Sequence, residues 1–200
     1  MTQPWRHYCK IALVGGLFSL VVGCSIFPKP TPQARYLLPA SPIQAQVQTQ
    51  PGVLFVAVPQ ANRLLSGSQL LVQTEDDSLQ AYKGALWADG LPTLLRERFI
   101  NAFTDVQLFD SISGDASLHA DKALETYIQR FQVQWVQGQP VVQVQISATL
   151  VDRATASILR SQRFESQQAA ASTALSDVLE AFGHASDQIS LDLIQWLQQP

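Results

Sequence analysis

Phe131-Gln132-Val133-Gln134-Trp135-Val136-Gln137-Gly138-Gln139-Pro140-Val141-Val142-Gln143-Val144-Gln145-Ile146-Ser147-Ala148-Thr149-Leu150 carries the strongest periodic signal in the chain. Phe131, Val133 and Trp135 alternate with Gln132 and Gln134. Val142, Val144, Ile146, Ala148 and Leu150 alternate with Gln143, Gln145, Ser147 and Thr149. Successive side chains of a strand point to opposite faces, so the spacing predicts strands with one face on a core and one polar face. Gly138-Gln139-Pro140 turns the chain between them. Asp152-Arg153-Ala154-Thr155 turns it again into a third strand, Ile158 through Phe164, completing a meander.

The period changes on either side. Downstream, Leu175, Val178, Leu179, Phe182, Ile189, Leu193 and Trp196 fall on one face of a helix of roughly 25 residues. Ser172 or Thr173 suits its N-cap. The helix lacks the Lys/Arg-rich polar face of an interfacial helix, so its apolar stripe reads as core packing. Upstream, Trp87, Leu91, Leu95, Phe99 and Phe103 recur every four residues with Leu94 beside them, the stripe of a second amphipathic helix. Pro92 fits its first turn, and Arg96, Glu97 and Asn101 take the other face. Val106 through Phe109 follows as a short strand. Val53 through Val58 is an apolar run closed by Pro59 and reads as a buried strand. Leu70-Leu71-Val72 and Leu79-Gln80-Ala81-Tyr82 form a hairpin around Glu75-Asp76-Asp77. That acidic turn matches no EF-hand spacing and reads as solvated. Arg35 to Leu38 is a short first strand, and Pro39 to Gln50 a surface loop. The fold class expected is α/β: a single-domain sandwich with a mixed, largely antiparallel sheet and two principal helices over residues 35–200.

The N-terminus has a different character. Arg6, His7 and Lys10 precede the apolar run Ile11 to Val22, with no acid among them. Twelve helical residues rise only ~18 Å, short of a ~30 Å hydrocarbon core, so this is an export signal and not a membrane span. The run ends in Val21-Val22-Gly23-Cys24, which resembles the bacterial lipobox. That resemblance implies removal of residues 1–23 and acylation of Cys24, the lipid-attachment residue. Several acyl chains on one residue anchor firmly, at ~0.8 kcal/mol per buried methylene. Ser25 follows, and by analogy with the enterobacterial sorting rule the absence of Asp there favours the outer membrane. Pro28, Pro30 and Pro32 make residues 24–34 an extended tether. Cleavage removes Cys9, Arg6 and Lys10, leaving Cys24 as the one cysteine and 11 basic residues against 16 acidic. No internal disulfide is then available, and an acidic body gives the acyl chains, not charge, the task of holding the membrane.

Charged residues make up 14% of the chain, with no Lys/Arg cluster, which speaks against nucleic acid as a partner. There is no G-x-S-x-G elbow, phosphate-binding loop or H-E-x-x-H. His119 lies in a polar loop and His184 on the last helix, neither beside a second ligand. No catalytic residue, metal site or cofactor is assigned; the only attached groups expected are the acyl chains on Cys24.

The order of segments resembles a known family. Val58-Pro59 is followed by Arg63, and Leu79 to Tyr82 leads to Trp87-Ala88 and Pro92. Ala123-Leu124 opens the strand reaching Phe131, and Ala181-Phe182, Ala185 and Trp196 close the chain. With the lipobox and Tyr36-Leu37, this layout is similar to the ABC-type transport auxiliary lipoproteins. The resemblance implies a non-catalytic outer-membrane lipoprotein facing the periplasm. It would accompany an MCE-domain protein and its inner-membrane permease complex in moving lipid between membranes. It would hold the outer end of an MCE tube, with a homo-oligomeric ring as one arrangement. The Gln-rich strands suggest polar edges or a groove that takes a strand or helix of the MCE partner; their simpler role is the solvent face of a sheet. An adaptor in outer-membrane or lipopolysaccharide assembly, and a periplasmic lipid carrier with its own cavity, remain alternatives.

Overall fold

The computed structural model describes residues 33–74 and 76–199. The signal segment, Cys24 and the tether up to Pro32 lie outside the described residues. Among these, nine strands and two helices follow in order. They are β1 (Ala34–Tyr36), β2 (Gln50–Val56), β3 (Gln60–Ala61), β4 (Gln69–Gln73), β5 (Leu79–Trp87), α1 (Leu91–Asp105), β6 (Phe109–Ser113), β7 (Lys122–Val136), β8 (Gln139–Asp152), β9 (Ser157–Ala169) and α2 (Leu175–Leu197). The sheet is mixed and does not close into a barrel.

The meander β7-β8-β9 is its antiparallel trunk, registered from Val136 against Gln139 down to Lys122 against Asp152. The other edge of β7 carries two branches. Its first half pairs in parallel with β2 and β3, and β2 pairs in parallel with β6. Its second half pairs in parallel with β4, which forms the hairpin with β5, and β1 lies parallel on β5. Both helices cover one face. Phe182 of α2 meets Trp87 of β5 and Phe131 of β7 at ring-centroid distances of 5.2 and 4.8 Å. The one core joins α1 through Leu95, Phe99 and Phe103 to α2 through Val178, Phe182, Ile189 and Leu193. The architecture is a two-layer α/β sandwich.

A bulge keeps β7 on that core. Leu124, Thr126 and Ile128 point inward, and so do Phe131 and Val133, although the two sets differ in parity. Ile128 pairs with Ile146 and Arg130 with Gln145, so Gln129 is an extra residue that resets the phase.

Several boundaries depart from expectation. Trp87 ends β5 and is not on α1, which starts at Leu91 with Pro92 in its first turn. An inward strand residue four positions before a helix's first residue continues that helix's stripe, which is why four-residue spacing caught it. The β7–β8 turn is Gln137-Gly138, with φ of 51° and 80°. A two-residue hairpin turn with positive φ at both central residues is of type I′, and Gly138 supplies one of them without strain. The strand after α1 begins at Phe109, because Val106 closes the helix. Ala174 stands at the N-cap of α2 without a side-chain cap; the Ser172 hydroxyl accepts from the Ala174 amide just ahead of it.

Candidate docking surface

The helix-free face of the trunk is where the predicted glutamines gather. Gln132 and Gln134 of β7, Gln143 and Gln145 of β8, and Glu165 and Gln167 of β9 share it by register. Their side chains are tied sideways. Gln132 Nε2 donates to Gln73 Oε1 of β4 at 2.6 Å, and Gln143 Nε2 to Gln134 Oε1 at 2.5 Å. Gln145 and Gln167 both donate to the Glu165 carboxylate, at 3.1 and 3.0 Å. Neighbouring amides cover one another so well that Gln132 and Gln143 are only 6% and 9% exposed on an uncovered face. The face is polar, with Glu125, Arg130, Arg163 and Glu165 set among the amides, and a partner lying across the glutamines must displace amide–amide bonds. The outer edge of β9 is less committed. β9 pairs with β8 alone, leaving one edge of a 13-residue strand open among the described residues. Such an edge offers backbone donors and acceptors to an added strand.

The other face is strapped. Residues 37–49 run between β1 and β2 across the helix layer. Arg98 of α1 forms an ion pair with Asp187 of α2. Its guanidinium also donates to the Pro39 carbonyl at 2.5 Å and the Gly183 carbonyl at 3.0 Å. Asp187 accepts from the Ser41 amide at 3.3 Å. Burial pushes the Arg98 guanidinium below its ordinary range, and the Asp187 charge opposes that shift. Farther along, Gln198 Nε2 donates to the Gln48 carbonyl at 2.7 Å and Gln198 Oε1 accepts from the Gln48 amide at 3.2 Å. Gly183 has a specific reason here: a Cβ would sit 2.9 Å from the Pro39 carbonyl oxygen. This clip was missed in the sequence. The signal was present, since Leu91, Leu95, Arg98 and Ala102 lie on one helical face and all are buried.

The remaining candidates are surface or structural groups. The His119 side chain is 91% exposed and 4.0 Å from Asp121, and His184 lies 3.5 Å from Glu180 on its own helix. The buried Ser186 and Ser190 hydroxyls donate to the Phe182 and Ser186 carbonyls one turn back, at 2.7 and 2.9 Å. Asp76 in the acidic turn accepts from the Thr74 hydroxyl at 2.5 Å and the Ser78 amide at 3.3 Å, bonds that hold its carboxyl below the usual range. No cluster of metal-ligating side chains occurs among the described residues. The apolar groove beside the strap, lined by Leu37, Leu38, Ile43, Leu94 and Ala102, holds about 200 Å³, below the ~300–1,000 Å³ usual for small-molecule sites. No described helix is long and apolar enough to cross a membrane.

The family model for the ABC-type transport auxiliary lipoprotein component matches residues 36–193, which takes in all of β2 through β9 and nearly all of α2. The chain belongs to that family. Solved structures share the fold of this auxiliary lipoprotein. Protein XCC0632 from Xanthomonas campestris, of the DUF330 family, is 24% identical with a TM-score of 0.73, covering 84% of this chain and 94% of its own. An uncharacterized protein is 16% identical with a TM-score of 0.65, covering 84% of this chain and 99% of its own. The hypothetical protein CT253 from Chlamydia trachomatis is 9% identical with a TM-score of 0.50, covering 74% and 96% respectively. No curated protein matches the chain significantly by sequence. The uncovered sheet face and the β9 edge of this lipoprotein stay exposed, while its helix face is covered by its own strap.

Proposed function

We propose that this lipoprotein is the outer-membrane-anchored, non-catalytic docking subunit of an MCE-type, ABC-driven intermembrane lipid transport system. Cys24 carries the acyl chains, and the tether through residue 34 sets the reach of the domain into the periplasm. The β9 edge, continuous with the uncovered trunk face, takes a segment of the MCE-domain protein, whose inner-membrane permease complex supplies the driving force. The observation that carries this reading is the family match over residues 36–193 to a transport auxiliary lipoprotein. The filled core supports docking over carriage: the apolar groove beside the strap holds about 200 Å³, and the larger clefts, of about 540 to 700 Å³, are open depressions lined largely by polar residues. A ring of copies around the end of an MCE tube needs one heterologous contact repeated from copy to copy.

Affinity purification of the full-length lipoprotein from native membranes in mild detergent, followed by mass spectrometry, tests the reading. An MCE-domain protein in stoichiometric amount is the expected result. Recovery of outer-membrane or lipopolysaccharide assembly machinery instead would replace it with the adaptor reading. Bound lipid without a protein partner would replace it with a carrier. Charge placed on Gln143 and Gln145 separates edge from face: Gln143→Lys and Gln145→Lys weaken capture only if the partner lies across the amides.

A further inference from the structure

β9 is an edge strand with few of the usual protections. It runs 13 residues, pairs with β8 alone among the described strands and contains no proline. Its one irregularity lies near its start, where Leu150 pairs with Arg160 and Val151 with Ile158, so Ser161 through Ala169 pair without interruption. A long regular edge of this kind invites a further strand. Its charged side chains are Arg160, Arg163 and Glu165. The direction of its outer backbone groups follows from one bond. The Ala170 amide donates to the Pro140 carbonyl at 2.9 Å, so Ala170 turns its polar groups toward β8. Successive residues alternate in this respect. Ser161, Arg163, Glu165 and Gln167 therefore turn their N–H and C=O groups outward, with their side chains exposed on the helix-free face.

A second strand of the same sequence can add antiparallel only in registers that set these outward residues opposite one another. One such register puts Arg163 opposite the copy's Glu165 and Glu165 opposite its Arg163. Ser161 then meets Gln167, and Phe164 lies on the two-fold axis. Sliding the copy by two residues one way sets Arg163 against Arg163, and the other way Glu165 against Glu165. Like charges directly opposite destabilise a strand pair, and opposite charges support it. The surroundings fit the same register. The Arg163 side chain has no hydrogen bond or ion pair among the described residues. Glu165 accepts from Gln145 and Gln167, which leaves carboxylate lone pairs for a guanidinium. Arg160 donates to the Leu197 and Gln199 carbonyls of its own chain and falls opposite Gln168. Glu125 and Arg130 stand two strands further in, on β7. On the helix side, an open cleft of about 700 Å³ lies beside Ser166 and Gln168, bounded by His184, Asp187 and Leu191 of α2. It leaves room for the copy's Gln162, which falls opposite Ser166. Asp187 is held by Arg98, and His184 lies beside Glu180.

We propose that the β9 edge pairs with the β9 edge of a second copy of this chain, antiparallel and centred on Phe164, so that one sheet runs through both molecules. The contact is isologous: the same patch serves both copies, and the pair closes on itself. It goes beyond the transport reading and does not depend on it. A strand from another protein that docks at this edge has to displace the copy first, so the pair guards the edge until such a strand arrives.

The test is sedimentation equilibrium of the protein purified from membranes, in a detergent matched in density to the buffer, so that protein alone is weighed. For the natural sequence the mass is expected to rise with concentration to that of two chains. Arg163→Glu and Glu165→Arg are each expected to stay at one chain, because each sets like charges opposite one another. Mixed one to one, the two variants are expected to recover the two-chain mass, since one copy then offers two acids and the other two bases. The double variant Arg163→Glu/Glu165→Arg is expected to pair as the natural sequence does. Both residues are exposed, and recovery in the mixture shows that each single variant is folded. A natural sequence that stays at one chain would overturn the pairing, even where an MCE-domain protein is captured, and would leave the transport reading standing. A two-chain mass that persists in either single variant would assign the contact to another surface or to a shared micelle and overturn it as well. A mixture that fails to recover would overturn the register. A mass beyond two chains would replace the closed pair with a head-to-tail contact.

Discussion

Asp187→Ala tests whether the strap is held by the Arg98 clip. The Arg98 side chain is 5% exposed and that of Asp187 14%. Water therefore reaches the carboxylate slightly and the guanidinium hardly at all. Removing one partner of a buried pair costs ~3–5 kcal/mol, because the other charge is left without compensation. Here the Pro39 and Gly183 carbonyls still accept from Arg98, which places the loss at the low end, about 3 kcal/mol. Arg98→Met removes the buried charge but strands both carbonyls and leaves Asp187 with the Ser41 amide, for a loss of about 2 kcal/mol. The double variant Arg98→Met/Asp187→Ala removes both charges. Its loss is expected near that of Arg98→Met alone, so the cycle shows coupling of about 2 kcal/mol or more. Urea unfolding of exported protein carrying Cys24→Ser gives the numbers. At a slope of about 2 kcal/mol/M, a loss of 3 kcal/mol moves the midpoint by about 1.5 M. Hydrogen exchange adds a local readout: the Ser41 amide loses protection in Asp187→Ala before the core does. A midpoint within ~0.25 M of the parent, or additive single losses, would refute the clip.

Four further outcomes follow from the same coordinates. Gly183→Ala gains ~1 kcal/mol of helix propensity but brings a Cβ to 2.9 Å from the Pro39 carbonyl oxygen and 3.0 Å from Pro39 Cβ. Overpacking of that kind costs ~1–3 kcal/mol, so the urea midpoint falls; a rise would mean that the strap yields freely. Phe182→Ala empties a fully buried site packed on Trp87 and Phe131 and costs ~3–5 kcal/mol, about 6–20 °C in melting temperature by calorimetry. Asp76, Asp115 and Asp152 have carboxyls lowered from the ordinary 3.8, Asp152 chiefly by the Thr155 amide and hydroxyl. Below that value the unfolded chain binds more protons than the folded one, so stability falls with acid, and Asp152→Asn flattens this limb; a midpoint independent of pH between about 2.5 and 4.5 contradicts it. Extending the β7–β8 turn by one residue disrupts the register from Val136 against Gln139 and lowers the melting temperature more than the same insertion at the exposed Asp152–Thr155 turn.

How much of this was legible depends on how far each signal reaches along the chain. The trunk was legible because alternation is local: Val142 to Leu150 face the core at every even position. The bulge at Gln129 was present as a break of phase between Ile128 and Phe131, but one irregular step does not say which strand absorbs it. The stripe of α2 came through almost whole, from Leu175 to Trp196. The parallel branches did not, since β2, β3 and β4 join β7 by pairings more than fifty residues apart in sequence. The strap was read as a surface loop, and it is one. Its attachment depends on Arg98 and Asp187, 89 residues apart, a link no short motif carries. The glutamines were placed on the polar face correctly, but their sideways bonding needs the register of four strands at once.

That bonding bears on why glutamine and not charge stands at positions 132, 134, 143 and 145. Lys or Glu at positions 132, 134, 143 and 145 would put side chains a few ångströms apart, where like charges repel and opposite ones gain ~0.2–1 kcal/mol at most. Glutamine offers both a donor and an acceptor, so Gln132 pairs with Gln73 and Gln143 with Gln134 across neighbouring strands without any net field. A surface of this kind resists chance association by being satisfied, while the β9 edge beside it stays open. A partner strand added to β9 would extend the row of amides from Gln167 onward and need break none of them. Docking at the edge thus uses the glutamine face as a template, whereas docking across it would compete with bonds already made. The charge substitutions at Gln143 and Gln145 distinguish these two geometries: under edge docking capture of the partner persists, and under face docking it is lost.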